Sequence, residues 1–220
     1  MVHFLFNFFL ILICFASFHN ADSFAEGCIE GNNITTREQR QVPSFSKIDI
    51  NGVFDVAIQY QKKNKITVTA DNNLLPHIVT RVTSGKLYVF SDRSICTKSK
   101  LQIDIESDDI EKIQSSGAND ISVSGVKSDR LEIEMDGAGD INLSGKAKLF
   151  IVNLSGAADM EAENLRAETV QIFLTGAGDA TIYASKKLDA KVAGSGTVNY
   201  SGNPKEIIKK ITGAGELNKE

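Results

Sequence analysis

Six glycine-centred pentapeptides recur every 18 to 20 residues in the second half of this chain, and they constrain its fold more than any other feature. Each starts with glycine and has a small residue second, and all but one have an acidic residue fourth. The copies are Gly117–Ile121, Gly137–Ile141, Gly156–Met160, Gly176–Ala180, Gly194–Val198 and Gly213–Leu217. A repeat of this length is typical of architectures in which each unit buries its apolar face against its neighbours.

The residues on either side of each pentapeptide alternate between apolar and polar. Leu131, Ile133 and Met135 precede one copy, with Glu132 and Glu134 between them. Alternation with a period of two is the pattern of a β-strand that has one buried and one solvated face. No helical period is present in this half, so the sequence predicts an all-β fold whose unit is strand, tight corner, strand and turn.

The constant register between like strands favours a parallel β-helix over a series of hairpins. In such a solenoid each strand pairs with its own copy one coil away, about 4.8 Å along the axis. The corners would then need backbone with positive φ and close approach between coils, which glycine allows. The predicted structural corner glycines are Gly117, Gly137, Gly156, Gly176, Gly194 and Gly213.

The N-terminus is predicted to be an export signal. Phe4 to Phe18 is almost wholly apolar, and Ser23-Phe24-Ala25 offers a small-x-small cleavage site, so we read residues 1–25 as a signal peptide. Because no Lys or Arg precedes the apolar run, a retained N-terminal anchor is the alternative. Nothing later in the sequence is long and apolar enough to span a bilayer. We expect an exported protein with a lead segment at 26–41 and one domain at 42–217.

The few cysteine and histidine residues limit which metal sites and catalytic mechanisms this chain can have. Cleavage would leave Cys28 and Cys96, which are a disulfide candidate in an oxidising compartment, with two unpaired thiols as the alternative. There is no Cys/His cluster for zinc, and His77 alone lies well beyond the signal, so Ser-His-Asp and Cys-His catalysis are not expected. The chain has 24 Lys and Arg residues and 28 Asp and Glu residues, and this net negative charge does not favour nucleic acid as a partner.

Two segments in the first half, together with the repeats, resemble a known family. The segments are Phe45–Val56 and Thr69–Leu75, and the repeated motif is Ser/Asp/Thr-Gly-Ala-Gly-Asp. The chain resembles the bacterial putative auto-transporter adhesin, head GIN domain family, a domain of unknown function, from about residue 42 to 217. The resemblance implies a single-stranded right-handed parallel β-helix, here with about 19–20 residues per coil. It also implies an exported protein with an adhesin-like function and no established catalytic residues.

The acidic residues at the fourth position of the pentapeptides are the clearest candidates for a functional site. In a coil they would form a column of like charges that something must offset. Hydrogen bonds from corner N–H groups would do so, and so would a row of calcium ions, because carboxylate and carbonyl oxygens suit that cation. The calcium candidates are Asp120, Asp140, Asp159 and Asp179.

Our functional expectation is a non-enzymatic exported solenoid that serves as an adhesin or binding scaffold, with no cofactor. Its partner would be a cell-surface glycan or protein. One alternative is a polysaccharide lyase or hydrolase of pectin-lyase-like shape, by fold analogy. Another is a structural repeat protein stabilised by calcium. The sequence contains no tryptophan, which is the side chain that most often stacks on sugars in binding sites.

Overall fold

The computed structural model describes residues 27–61 and 63–220, and its secondary structure there is almost entirely β. The strands of the first half are β1 (Ile29–Glu30), β2 (Thr35–Arg40), β3 (Lys47–Gly52), β4 (Asp55–Tyr60), β5 (Lys65–Asp71), β6 (Ile78–Thr83), β7 (Lys86–Ser91), β8 (Ile95–Cys96) and β9 (Gln102–Ser107). Those of the second half are β10 (Lys112–Ala118), β11 (Asp120–Gly176), β12 (Ala180–Gly194), β13 (Thr197–Ser201), β14 (Glu206–Gly213) and β15 (Glu216–Lys219). One short 3-10 turn, Leu75–His77, lies between β5 and β6.

Thirteen of these strands form one mixed sheet whose wall curls, barrel-like, around a single apolar core. Along the sheet the order is β2-β5-β9-β4-β11-β10-β3-β7-β6, and β12 to β15 extend it beyond β11. β1 and β8 make a separate two-stranded sheet. Chain order and sheet order therefore differ in the first half, where β3 and β4 lie between later strands.

The prediction of an all-β fold is confirmed, but the prediction of a single-stranded right-handed parallel β-helix over residues 42–217 is wrong. The sheet is mixed: β5 runs antiparallel to β2 and to β9, and β6 runs antiparallel to β7. For β6 and β7 the physical reason is a hairpin turn at Ser84 and Gly85, whose φ values of 50° and 73° reverse the chain between these two strands. Alternating hydrophobicity specifies a strand and its buried face but not its direction.

The core is built from side chains that occupy matching places on neighbouring strands. Ile113 is in register with Ile48 on one side and Ile133 on the other, and all three are fully buried. Each such side chain contributes about 1.5–3 kcal/mol when it leaves water. The polar residues between them stay on the outside, so the alternation in the sequence becomes an apolar interior and a polar outer wall.

The lead segment folds back onto the first half of the sheet. β1 pairs with β8, and β2 pairs with β5 as an edge strand whose side chains are almost all exposed. Within the described residues no helix is long and apolar enough to cross a membrane. The predicted signal peptide at residues 1–25 lies outside the described residues.

Candidate functional site

The predicted corner glycines stack on one another across neighbouring strands. Gly137 packs on Gly117, and Gly176 packs on Gly156, so that a Cβ at the later glycine would clash with the carbonyl oxygen of the earlier one. All six have positive φ, between +97° and +152°. Only glycine combines that backbone conformation with so close an approach. The stacking brings the fourth positions of successive pentapeptides to the same outer edge of the wall.

Three of the aspartates at those fourth positions accept a main-chain N–H from the next corner. The main-chain N–H of Asp179 donates to Oδ1 of Asp159 over 2.8 Å, and the N–H of Thr197 donates to Oδ1 of Asp179 over 2.7 Å. Likewise, Asp140 donates its N–H to Oδ1 of Asp120 over 3.2 Å. In each bond a carboxylate accepts a main-chain donor, which offsets part of the repulsion within the row. We call this row the aspartate corner.

The aspartate corner starts earlier in the chain than the sequence repeats indicated. Asp55 is in register with Asp120 and precedes it in the stack. Its carboxylate pairs with the ammonium of Lys100 at 2.8 Å. A hydrogen bond and the charge of Asp55, with a smaller contribution from Asp120, raise the pKa of Lys100 above its usual value, so this cation stays charged. The three-residue spacing from Gly52 to Asp55 repeats that from Gly117 to Asp120 and could have identified Asp55.

Asn119 is a second residue that the sequence analysis missed. It is fully buried, and its Oδ1 accepts the main-chain N–H of Phe54 at 3.0 Å. Its Nδ2 donates to Ser115 Oγ at 3.0 Å and to the Ser116 carbonyl at 2.9 Å. The side-chain amide thus links the corner that contains Asn119 both to β10 and to Phe54, which lies between β3 and β4. The sequence could have indicated this residue, because the third position of the pentapeptide is Asn in this copy and Gly or Ala in the other five.

A shallow groove of about 370 Å³ runs along the first part of the aspartate corner. Its polar lining comes from strands β4, β9 and β11 and from the loop before β9. The polar residues that line this corner groove are Asp55, Lys100, Gln102, Asp120, Ser122, Asp140 and Asn142. Carboxylates, amides, a hydroxyl and an ammonium provide both donors and acceptors in one concave surface.

The outer face of the strands that enter the corner carries a separate charged cluster. Lys112 Nζ lies 2.7 Å from Glu134 and 3.0 Å from Glu132. Partial burial alone would lower the pKa of Lys112, but its hydrogen bonds to the two carboxylates outweigh this and raise it. Partial burial also opposes ionisation of Glu132, yet Lys112, Glu134 and Arg130 together hold its pKa below the usual value. Because the charged groups of this cluster pair with one another, we do not place the binding site there.

Truncation at Asp179 tests the role of the corner hydrogen bonds. Asp179→Ala removes the acceptor for the Thr197 N–H, and we expect it to lower the free energy of unfolding by about 1 kcal/mol. Asp179→Asn keeps an acceptor oxygen and should restore most of that loss. Urea unfolding of both variants measures the difference, and equal stability of the two would contradict the assigned hydrogen bond.

The structure places the remaining predicted residues as follows. Cys28 and Cys96 form a disulfide with their Cα atoms 5.5 Å apart. Among residues 27–61 and 63–220, no three His, Cys, Asp or Glu side chains group as metal ligands. Calcium at Asp120, Asp140, Asp159 and Asp179 stays a prediction, as does the absence of a cofactor. His77 lies apart from the groove and contacts Asp92 at 3.0 Å.

Comparison with known proteins gives a family match and several similar structures. The family model described as "Putative auto-transporter adhesin, head GIN domain" matches residues 44–204. No curated protein matches the chain.

Among solved structures, a putative adhesin from Bacteroides fragilis has 25% sequence identity and a TM-score of 0.72, and the similarity covers 87% of this chain and 100% of the other. A putative lipid binding protein from Parabacteroides distasonis has 21% identity and a TM-score of 0.58, with 88% of this chain and 100% of the other covered. A putative adhesin from Parabacteroides merdae has 17% identity and a TM-score of 0.58, with 87% and 98% covered. The last two are alike in fold alone.

Proposed function

This chain belongs to the family described as putative auto-transporter adhesin, head GIN domain, and from that premise we propose that it is an exported, non-enzymatic protein that binds a surface ligand. The ligand would be a glycan or a protein with many hydroxyl or amide groups. We assign its binding to the corner groove. The single observation that carries this assignment is the convergence of polar side chains from three strands on one concave stretch of the outer wall.

The geometry of the groove supports hydrogen-bonded recognition. Gln102, Ser122 and Asn142 have neutral donors and acceptors, which suit the hydroxyl groups of a sugar. Asp120 already accepts the N–H of Asp140, so one of its carboxylate oxygens has a structural role and the other remains an acceptor for a ligand. Because the backbone beneath these side chains is part of the sheet, the groove is held in shape before binding, which lowers the entropic cost of binding.

The non-enzymatic assignment rests on the roles these side chains already have. Lys100, the cation of the groove, is paired with Asp55 and has a raised pKa, which is the opposite of what a general base requires. Polysaccharide lyase or hydrolase activity, the alternative from fold analogy, is tested by release of reducing or unsaturated sugars from pectin-like and other glycans. Such release would overturn the non-enzymatic part of the proposal.

Filling the groove tests the binding proposal. Asn142→Arg places a long side chain in the groove, and we expect it to weaken binding to glycan arrays or host cells by at least about tenfold. The matched control is Asn153→Arg, on the outer face of a strand that enters the corner, which should bind as the unmodified protein does. Binding that Asn142→Arg leaves unchanged would contradict the corner groove as the site. Absence of any binding would contradict the function.

A further inference from the structure

Strand β14 has one unpaired edge and exposes apolar side chains along it. Among the described strands it pairs with β12 alone. Its Ile207 is in register with the fully buried Leu188 and yet is 45% exposed, and the adjacent Ile208 is 41% exposed. An edge strand of this kind presents main-chain N–H and C=O groups that can pair with another strand.

The edge at the other end of the sheet is built differently. There β2 exposes Arg37, Glu38 and Gln39, and β6 carries Arg81. Charged and polar side chains of this kind discourage pairing between edges. β14 also carries charged residues, but unlike β2 it combines them with two exposed isoleucines, Ile207 and Ile208, which is why we assign the interface to this edge.

We propose that β14 is the interface of a two-fold homodimer, in which it pairs antiparallel with β14 of a second copy about an axis through Ile208. The register aligns Glu206 with Lys210 of the second copy, and by symmetry Lys210 with Glu206 of the second copy. Ile208 meets Ile208 between these two ion pairs. All three residues lie on the outer face of the strand, since cross-strand partners must share a face.

The registers nearest to this one are less favourable. A one-residue slip would set inward side chains against outward ones. An axis at Lys209 or Lys210 would place a lysine opposite its own copy, and an axis at Ile207 would place Lys205 opposite Lys209. Like charges directly opposite one another are destabilising. The strand is thus complementary to itself in the register about Ile208, which is what an isologous interface requires and what argues for a second copy as the occupant.

Glu206 is already positioned for this role. Its Oε1 lies 2.6 Å from Nζ of Lys187, the residue in register with it on β12. The carboxylate has a second oxygen, which can accept from Lys210 of the second copy. The pairing would continue the sheet of one copy into the other and would cover the exposed Ile207 and Ile208 side chains.

Charge exchange tests the dimer. The full chain should sediment as a dimer at micromolar concentration. Glu206→Lys and Lys210→Glu should each weaken dimerisation by at least about fivefold, because each makes both reciprocal pairs repulsive. The double variant restores opposite charges and should regain the dimer. Lys146→Glu, an exposed lysine away from β14, is the control for net charge and should have no effect.

Three outcomes would overturn the proposal: a monomer at the highest concentration reached, a dimer that all three variants leave intact, or a double variant that is no better than the singles. Ile208→Lys places lysine against lysine at the axis and serves as an independent disruption if a charge-reversal variant fails to fold. A dimer that survives Ile208→Lys would also contradict the interface. Thermal melts of each variant verify that the fold is intact.

Discussion

Gly176→Ala is expected to lower the free energy of unfolding by about 3 kcal/mol or more, which corresponds to about 10 °C in melting temperature. Two costs combine at this position. Gly176 has φ +129°, which alanine rarely adopts, and a Cβ there would clash with the carbonyl oxygen of Gly156. Since the clashing atom is main chain within a paired sheet, it cannot move away without breaking the stacked corner. Thermal unfolding followed by circular dichroism measures the effect.

Gly85→Ala is the matched control for that substitution. Gly85 also has positive φ, +73°, but a Cβ there would have no heavy atom within 4 Å. The control therefore carries a milder left-handed backbone strain and no clash, and we expect a loss of about 1 kcal/mol. Equal losses at Gly176 and Gly85 would show that close approach between corners contributes nothing.

Removing the disulfide with Cys28→Ser and Cys96→Ser together is expected to cost about 4 kcal/mol of unfolding free energy, from the entropy of closing so long a loop. The two cysteines are 68 residues apart in sequence. The bond fastens the lead segment where Ile29 donates its N–H to the Ser94 carbonyl at 2.8 Å and Gly31 donates to the Cys96 carbonyl at 2.9 Å. Without it, the lead segment is held by hydrogen bonds such as these and no covalent cross-link. Urea unfolding of the oxidised protein and the double variant gives the difference.

Dithiothreitol gives an independent check on the same bond. Reduction of the unmodified protein should lower its urea midpoint to that of the double serine variant, and dithiothreitol should leave the double variant unchanged. A midpoint that neither reduction nor substitution alters would contradict a stabilising role for the Cys28–Cys96 bond.

The sequence predicted which side chains are buried but not how all the strands run. Leu131, Ile133 and Met135 were expected inside from their alternation, and each is at most 3% exposed. The direction of β5 and β6 could not be predicted, because the alternation of buried and exposed residues has a period of two in both parallel and antiparallel strands. The left-handed pair Ser84 and Gly85 shows that the reversal between β6 and β7 has a local cause, but a Ser-Gly dipeptide is a weak signal without its φ values.

The candidate site was predictable where it repeats and unpredictable where it does not. Asp120 and Asp140 were singled out, as calcium candidates, because the same residue type returns at the same spacing. Lys100 and Gln102 reach the corner groove only because β9 pairs with β4, a long-range contact that leaves no pattern in the sequence. The resemblance to the family covers both parts of the chain, but it identifies no binding residue.

Stacking of equivalent corner positions is the central claim, and a cysteine cross-link tests it most directly. Ala118 and Ala138 are exposed and paired in register, so their Cβ atoms should lie within reach of a disulfide. Ala118→Cys with Ala138→Cys should therefore cross-link on mild oxidation, as peptide mapping by mass spectrometry would show. Ala118→Cys with Ala157→Cys, about 10 Å apart at two strand spacings, should not. Cross-linking of the second pair instead of the first would contradict the stacked corners.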